Sequence, residues 1–184
     1  MQQLAFTIRY NGRMRALHTK VGVCSPVTLE EARTQKVELK EYVAIWDTGA
    51  THSAITKKVA EELNLKPTGV VEVRYGNGKA LTNTYLVNIS LPNKVMVGQV
   101  RVTEAQLTPE GSISDAQQPQ LLIGMDIIGM GDFAVTNANN KTTLSFRVPS
   151  VAEVDFVPEA NESNVMQGSN RHERRAFQAK QRRS

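Results

Sequence analysis

The apolar run Tyr42-Val43-Ala44-Ile45-Trp46, followed directly by Asp47-Thr48-Gly49-Ala50, constrains the fold more than any other segment. Such a run is typical of a buried strand, and Gly49 allows the backbone to turn sharply because it has no Cβ atom to clash. The strand end and the hydroxyl of Thr48 can hold the acid rigidly toward a cleft. Asp and Gly are also ordinary turn residues, so the tripeptide alone does not separate a functional loop from a simple turn.

The rest of the chain consists of short strand-like runs separated by Gly, Pro and Asn, with only small helices. A β-hairpin is predicted over residues 4–23, because Asn11-Gly12 is a strong two-residue turn signal. Such a pattern is typical of a mainly β barrel or sandwich. The further predicted strands cover residues 36–46, 70–75, 80–91, 95–102, 121–123, 133–136 and 142–148, and the predicted short helices cover 56–63 and 126–130.

Three parts of the chain are predicted from these patterns. Residues 1–35 form an N-terminal β-hairpin extension, and residues 36–149 form the core domain. Residues 150–184 are polar and lose periodicity at first, which indicates a flexible linker. The linker leads into a basic tail that regains helical character, since Asn170 and Glu173 fit a capping box.

Charge is distributed unevenly along the 184 residues. The formal net charge is +4, but residues 171–184 alone carry six Arg or Lys side chains against Glu173, which leaves about −1 for the remainder. A basic tail can contact nucleic acid or an acidic partner. It can also be a solvated charged terminus, which is the simpler interpretation, or it could occupy a cleft of the protein itself.

Several classes of protein are disfavoured by the composition. The single cysteine, Cys24, excludes an internal disulfide framework. The three histidines are scattered, so no metal site and no cofactor are predicted; His52, near Asp47, is expected to be a partly exposed loop residue. No apolar run is long enough to span a bilayer, and a secretory signal is not visible at the N-terminus. Cytoplasmic residence is therefore the expectation.

Three features follow one another in a set order. The first is the strand that ends in Asp47-Thr48-Gly49-Ala50, and the second is a hairpin tipped by Tyr75-Gly76-Asn77-Gly78. The third is Leu122-Ile123-Gly124, which Met125-Asp126 and a short helix follow. Over residues 37–148 this order resembles the retropepsin-like aspartic proteases, single-lobed enzymes that include the retroviral proteases; a bacterial or phage-type member is the expected source.

The resemblance implies an all-β fold, the closed acid-protease barrel, and an aspartic endopeptidase that acts on peptides or proteins. It assigns Asp47 as the catalytic residue and Thr48, Gly49 and Ala50 as the active-site loop. Tyr75, Gly76, Asn77 and Gly78 correspond to the flap, and Leu122, Ile123 and Gly124 support the loop. Because this route needs two carboxylates and the chain contains one Asp-Thr-Gly, a homodimer is expected.

The sequence departs from the family pattern in ways that matter. Viral members often carry an arginine directly after the glycine that corresponds to Gly124, and this arginine pairs with an acid directly after the active-site loop. This chain has Met125 and Thr51 at those two positions. A dimer stabilised as in the viral enzymes is therefore in doubt. Ala50 replaces the serine of two-lobed enzymes, which predicts a milder pH optimum than pepsin's. Two alternatives stay open. One is a non-catalytic peptide-binding or assembly module on the same fold, and the other is a protein that binds nucleic acid through its basic tail.

Overall fold

The computed structural model describes residues 2–27, 31, 38–75, 78–107 and 118–168. The chain divides into two compact units, Met1–Val151 and Ala152–Ser184. The helices described in the first unit are α1 (Lys57–Glu62) and α2 (Met125–Ile128), with a 3-10 turn at Ala138–Asn140. Its strands are β1 (Leu4–Arg9), β2 (Leu17–Cys24), β3 (Lys40–Trp46), β4 (Ala54–Ile55), β5 (Gly69–Tyr75), β6 (Gly78–Ser90), β7 (Met96–Glu104), β8 (Leu121–Ile123), β9 (Asp132–Thr136) and β10 (Thr143–Val148).

Seven of these strands form one sheet in the order β2-β3-β8-β4-β7-β6-β5. Strand β2 also pairs with β6, through Gly22–Cys24 opposite Asn88–Ser90. This extra pairing joins the two ends of a six-stranded run, so that the sheet closes and β5 remains attached outside. The prediction of a mainly β, closed barrel with short helices is confirmed.

The remaining strands form a second sheet in the order β1-β10-β9. The predicted hairpin over residues 4–23 is wrong, because β1 and β2 do not pair with each other. Strand β1 pairs antiparallel with β10, with Phe6 opposite Phe146, while β2 pairs with β3. The Asn11-Gly12 signal is purely local, and the pairing with β10 outweighs it by bringing Phe6 into the aromatic cluster of the core.

Four aromatic rings join the two sheets directly behind the predicted loop. Trp46, at the end of β3, packs against Phe6, Phe133 and Phe146 with ring centroids 5.2–5.9 Å apart. Each such pair contributes about 0.5–1.5 kcal/mol beyond its buried area. The indole N–H of Trp46 donates to the Thr19 hydroxyl at 2.9 Å. Trp46, which directly precedes Asp47, is therefore held by three ring contacts and one hydrogen bond.

Helix α1 lies within the predicted segment 56–63, and its apolar residues Val59 and Ala60 are buried. Thr56 stands at the N-cap position, but its side chain makes no cap hydrogen bond, and its hydroxyl donates to Gln120 Oε1 at 2.7 Å instead. This bond attaches the start of α1 to the residue before β8. A tertiary partner has replaced the local one.

The second unit contains a helix where a flexible linker was predicted. Helix α3 covers Val157–Gly168, so the linker prediction is wrong for these residues. The start signals are present in the sequence, since Asp155 Oδ1 accepts the Val157 N–H at 2.9 Å and Pro158 suits a first helical turn. The helical tail predicted from residue 170 onward lies outside the described residues. In the described part of the chain, no helix has the length and apolarity to cross a membrane.

Candidate functional site

The site begins where two parallel strands end at the same edge of the sheet. Strands β3 and β8 run parallel, with Trp46 opposite Ile123. The Asp47 N–H donates to the Ile123 carbonyl oxygen at 3.0 Å, which extends the ladder by one residue. Asp47 is therefore the first residue beyond the sheet, and its backbone position is set by the buried strands behind it.

The loop from Asp47 to Ser53 arches over the end of β8. It has to do so because β8 lies between β3 and β4, pairing parallel with the first and antiparallel with the second. Within the loop, Asp47 Oδ1 accepts the Gly49 N–H at 2.8 Å. Thr48 and Gly49 are exposed, whereas Asp47 and Ala50 are half-buried. The loop thus orients the carboxylate and leaves its own tip accessible.

Strand β8 and helix α2 brace this loop from below. The Met125 N–H donates to the Ala50 carbonyl at 2.8 Å, and the Asp126 N–H donates to that of Thr51 at 3.2 Å. The predicted supporting residues lie in this region: Ile123 is buried, and Leu122 is half-buried and opposite Ala54. Gly124, also buried, separates β8 from α2.

Gly124 has no room for a side chain. A Cβ atom placed on it would lie 2.6 Å from the His52 carbonyl carbon, 2.8 Å from the His52 oxygen and 3.0 Å from the Ala50 oxygen. All three atoms belong to the loop backbone. The absence of a side chain on this glycine therefore allows the loop backbone to approach the end of β8 closely.

Ser53 and Asp126 form a bracket that the sequence analysis did not assign. Asp126 Oδ1 accepts the Ser53 hydroxyl at 2.8 Å, and Oδ2 accepts the Ser53 N–H at 2.9 Å. The Ser53 Oγ atom in turn accepts the Gly124 N–H at 3.1 Å. Ser53 is fully buried. The available signal was Asp126 itself, which stands in the Leu-Ile-Gly-Met-Asp string as an acid with no assigned partner.

The two acids of the site therefore have different surroundings. Asp126 is occupied by Ser53 and by the N–H of Ile127, which donates to its Oδ1 at 3.0 Å. Asp47 accepts the N–H of Gly49 on one oxygen, is half-buried, and adjoins the exposed Thr48 and Gly49. Asp126 is bound within the chain through both of its oxygens, whereas Asp47 is the acid next to the exposed part of the loop. His52 is exposed, as expected for a loop residue.

The predicted flap corresponds to the hairpin of β5 and β6. The two strands pair antiparallel from Gly69 opposite Thr84 to Tyr75 opposite Gly78. Tyr75 thus ends β5 and the exposed Gly78 begins β6, while Gly76 and Asn77 lie outside the described residues. The hairpin exists at the predicted place, and its tip is not among the described residues.

An open cavity of about 690 Å³ lies at the root of this hairpin, between α1 and strands β6 and β7. Its walls include Lys57, Glu61, Tyr85 and Glu104, and no residue of the Asp47 loop contributes to it. The Tyr85 hydroxyl donates to Glu104 Oε2 at 2.8 Å. Burial, followed by this contact with the carboxylate, raises the pKa of Tyr85. The hydrogen bond between Tyr85 and Glu104 joins β6 to β7.

The described residues offer no set of ligands for a metal ion. No three His, Cys, Asp or Glu side chains among those residues are grouped closely enough to hold a metal ion. The chemistry that the loop itself can offer is that of one oriented carboxylate beside exposed backbone groups. A carboxylate of this kind can accept or donate a proton.

Comparison with known proteins agrees with this geometry. A family model described as aspartyl protease matches residues 25–127, more than half of the chain. The matched range includes the Asp47 loop, the β5–β6 hairpin and Gly124 at the end of β8. The relationship inferred from the sequence is confirmed at the level of this family.

A structural comparison matches a retropepsin-like aspartic protease from Rickettsia conorii at 16% sequence identity and a TM-score of 0.43. The match covers 80% of this chain and 96% of the other. No curated protein matches the sequence significantly.

Proposed function

The chain belongs to the aspartyl protease family, and we propose that it is an endopeptidase in which the Asp47 carboxylates of two subunits activate one water molecule. The observation that carries this proposal is the presentation of Asp47. Its backbone continues the β3–β8 ladder, its carboxylate is oriented by the Gly49 N–H, and it stands beside the exposed Thr48 and Gly49.

The chemistry requires a second carboxylate. Two adjacent carboxylates cannot both ionise, so they share one proton, and each has a different task. The ionised one takes a proton from water as it attacks the peptide carbonyl, while the protonated one donates to the carbonyl oxygen. The apparent pKa values then belong to the pair. Asp126 cannot be the second acid, because both of its oxygens are bound within the chain.

The second carboxylate is supplied by another copy of the chain. An isologous dimer places the same surface of each subunit on the two-fold axis, which brings Asp47 to its own mate. The sequence contains one Asp-Thr-Gly, so a single chain would lack half of the dyad. Catalysis is therefore dimer-dependent.

The neighbouring residues take roles that follow from this arrangement. The Thr48 hydroxyl forms a hydrogen bond across the two-fold axis, and Gly49 offers backbone groups to an extended peptide. The β5–β6 hairpin, with Tyr75, Gly76, Asn77 and Gly78 at its tip, closes over the substrate and excludes water. The substrate class is a peptide or protein chain.

The decisive experiment compares the wild-type protein with Asp47→Asn on a diverse peptide library. We expect the variant to lose cleavage by at least about 1,000-fold while its unfolding temperature is unchanged, since the partly exposed acid braces no other element. A statine-type inhibitor, which imitates the tetrahedral intermediate, should block the wild type. Asp155→Asn is a matched control in the second unit.

Two results would contradict the proposal. One is a wild-type protein that cleaves no peptide but binds the same peptides as Asp47→Asn, which would indicate a binding module. The other is cleavage that survives Asp47→Asn, which would place the chemistry elsewhere.

A further inference from the structure

The three-stranded sheet β1-β10-β9 has one face in the core and a second face on the opposite side. Phe6, Phe146 and Phe133 lie opposite one another in the three strands and belong to the core face. Side chains alternate between the two faces along each strand, so the neighbours of these three residues lie on the second face. A contact between the hydroxyls of Thr7 and Ser145 at 3.0 Å agrees with this assignment. We call this second face the outer face.

The outer face carries small and hydroxyl side chains, with charges at its two ends. From one end to the other, its opposed residues are Arg9 with Thr143 and Thr136, Thr7 with Ser145 and Ala134, and Ala5 with Arg147 and Asp132. Arg147 forms an ion pair with Asp132, so that end is neutral. Arg9 is exposed, and it gives the other end a positive charge.

The loop between β1 and β2 adds further cations at the Arg9 end of the sheet. The Thr142 N–H donates to the Gly12 carbonyl at 2.9 Å, and the Thr142 hydroxyl accepts the Met14 N–H at 2.9 Å. Thr142 directly precedes the residue that lies opposite Arg9, so these bonds hold the loop beside Arg9. They bring three more exposed cations to the same end of the sheet, namely Arg13, Arg15 and Lys141.

The segments that build this end of the molecule lack acidic side chains. Residues 1–29 and 133–152 carry six Arg or Lys side chains and no Asp or Glu. Two of the six have carboxylate partners, since Lys20 pairs with Glu41 and Arg147 pairs with Asp132. Among the described residues no ion pair involves the other four, which are Arg9, Arg13, Arg15 and Lys141. Their positive charge is therefore uncompensated.

Uncompensated cations beside a hydroxyl-lined sheet face suit a ligand with many phosphates. Phosphate oxygens accept hydrogen bonds from Arg, Lys, Ser and Thr side chains, and such contacts position a nucleic acid without reading its sequence. The positions of the outer face, all of them described, carry no aromatic side chain on which a base could stack. They also carry no large apolar side chain that would insert into a membrane. The chemistry of this surface therefore fits the backbone of a duplex.

We propose that the basic outer surface, defined as the outer face together with Arg13, Arg15 and Lys141, binds the phosphate backbone of a nucleic-acid duplex without sequence preference. The inference does not rest on the proposed function. The core face of the same sheet packs on Trp46, the residue before Asp47, so the sheet separates the basic outer surface from the Asp47 loop. The surface is also distinct from the basic residues 171–184.

The test measures binding of a fluorescein-labelled, mixed-sequence DNA duplex of about 20 base pairs by fluorescence anisotropy. Full-length Asp47→Asn is the parent protein, which prevents self-cleavage during the titration. The surface variant combines Arg9→Gln, Arg13→Gln and Arg15→Gln. We expect it to raise the Kd by about ten-fold or more at about 0.15 M salt, and to reduce the slope of log Kd against log salt by about two to three, because three phosphate contacts are lost.

Two further variants separate the position of the charge from its amount and from folding. The matched control removes three exposed cations elsewhere, Lys58→Gln, Lys66→Gln and Arg101→Gln, and its Kd should stay within about three-fold of the parent because distant charges are screened. Replacing the three arginines of the surface variant by lysine keeps the charge, and binding should stay within about three-fold. Thermal unfolding should be similar for all variants, since the side chains are exposed. Residues 171–184 are present in every variant, so the difference between surface variant and control reports on this surface.

Three results would overturn the inference. The first is a parent protein that does not bind the duplex. The second is an equal Kd for the surface variant and the matched control, which would assign the binding to the tail or to net charge alone. The third is binding of phosphatidylserine–phosphatidylcholine vesicles, but not of the duplex, through the same arginines; Met14, 38% exposed in the loop, is the reason to include this probe. None of these results bears on cleavage of peptides by Asp47.

Discussion

The Asp47 loop and the β5–β6 hairpin differ sharply in how the fold holds them. The loop lies on a buried strand end and is bonded to Ile123, Met125 and Asp126. The hairpin is held mainly by its own ladder, and its arms expose apolar residues such as Val70 (60%) and Leu81 (78%). The comparison teaches that the acid lies on a loop bonded to several neighbouring elements, while β5, in the element proposed to close over the substrate, is attached outside the closed sheet.

The largest effect on this contrast is expected from a substitution at Gly124, where the end of β8 passes beneath the loop. We expect Gly124→Ala to destabilise the protein by about 3 kcal/mol or more and to abolish cleavage, because the new Cβ would meet His52 and Ala50 backbone atoms at 2.6–3.0 Å. Chemical denaturation measures the loss. In the control Gly98→Ala the nearest atom would be Asn88 Oδ1 at 3.7 Å, an ordinary contact. Equal stability of the two variants would show that the loop is not rigidly supported.

The next largest loss of stability should come from breaking the hydrogen bonds between Ser53 and Asp126. Asp126→Ala removes the acceptor for the Ser53 N–H and hydroxyl, and we expect a loss of about 2–4 kcal/mol because buried donors are left without partners. The kcat should fall with it, since the loop loses its brace. Glu41→Ala, which removes an exposed ion pair with Lys20, should change stability by less than about 0.5 kcal/mol. A stable Asp126→Ala enzyme with a normal kcat would contradict a structural role for this acid.

The smallest effect is expected on the hairpin. Leu81→Ser replaces a side chain that is already mostly in water, so the free energy of unfolding should change by less than about 0.5 kcal/mol. Hydrogen exchange should sharpen the same point: the amides of Asp47 and Met125 should exchange more slowly than those of residues 72–74. A hairpin protected as strongly as the loop would remove the contrast.

Much of this fold could be predicted because its signals are local. The run from Tyr42 to Trp46 and the short run Leu121–Ile123 both became buried strands, and Asp47 with Gly49 marked the turn between strand and loop. Resemblance to a known family then gave the barrel. Apolar periodicity and turn residues act within a few positions of each other, which is why the sequence displays them.

The errors concern partners that are far apart in the chain. Strand β1 pairs with β10, across nearly the whole unit, and the Asn11-Gly12 turn signal carries no information about that choice. The Ser53–Asp126 bracket likewise joins residues 73 positions apart. The helix Val157–Gly168 is a different case, since its capping signals were present but the polar composition obscured them.

The central claim is that two copies of Asp47 act together, and mixing subunits tests it most directly. Wild-type protein is equilibrated with an equal amount of Asp47→Asn, and the cleavage rate per wild-type chain is measured above the dimer Kd. Random pairing leaves about half of the wild-type chains opposite a defective partner, so the account predicts that the rate per wild-type chain falls to about one half. A rate that stays unchanged at every ratio would mean that each chain works alone, and it would contradict the account.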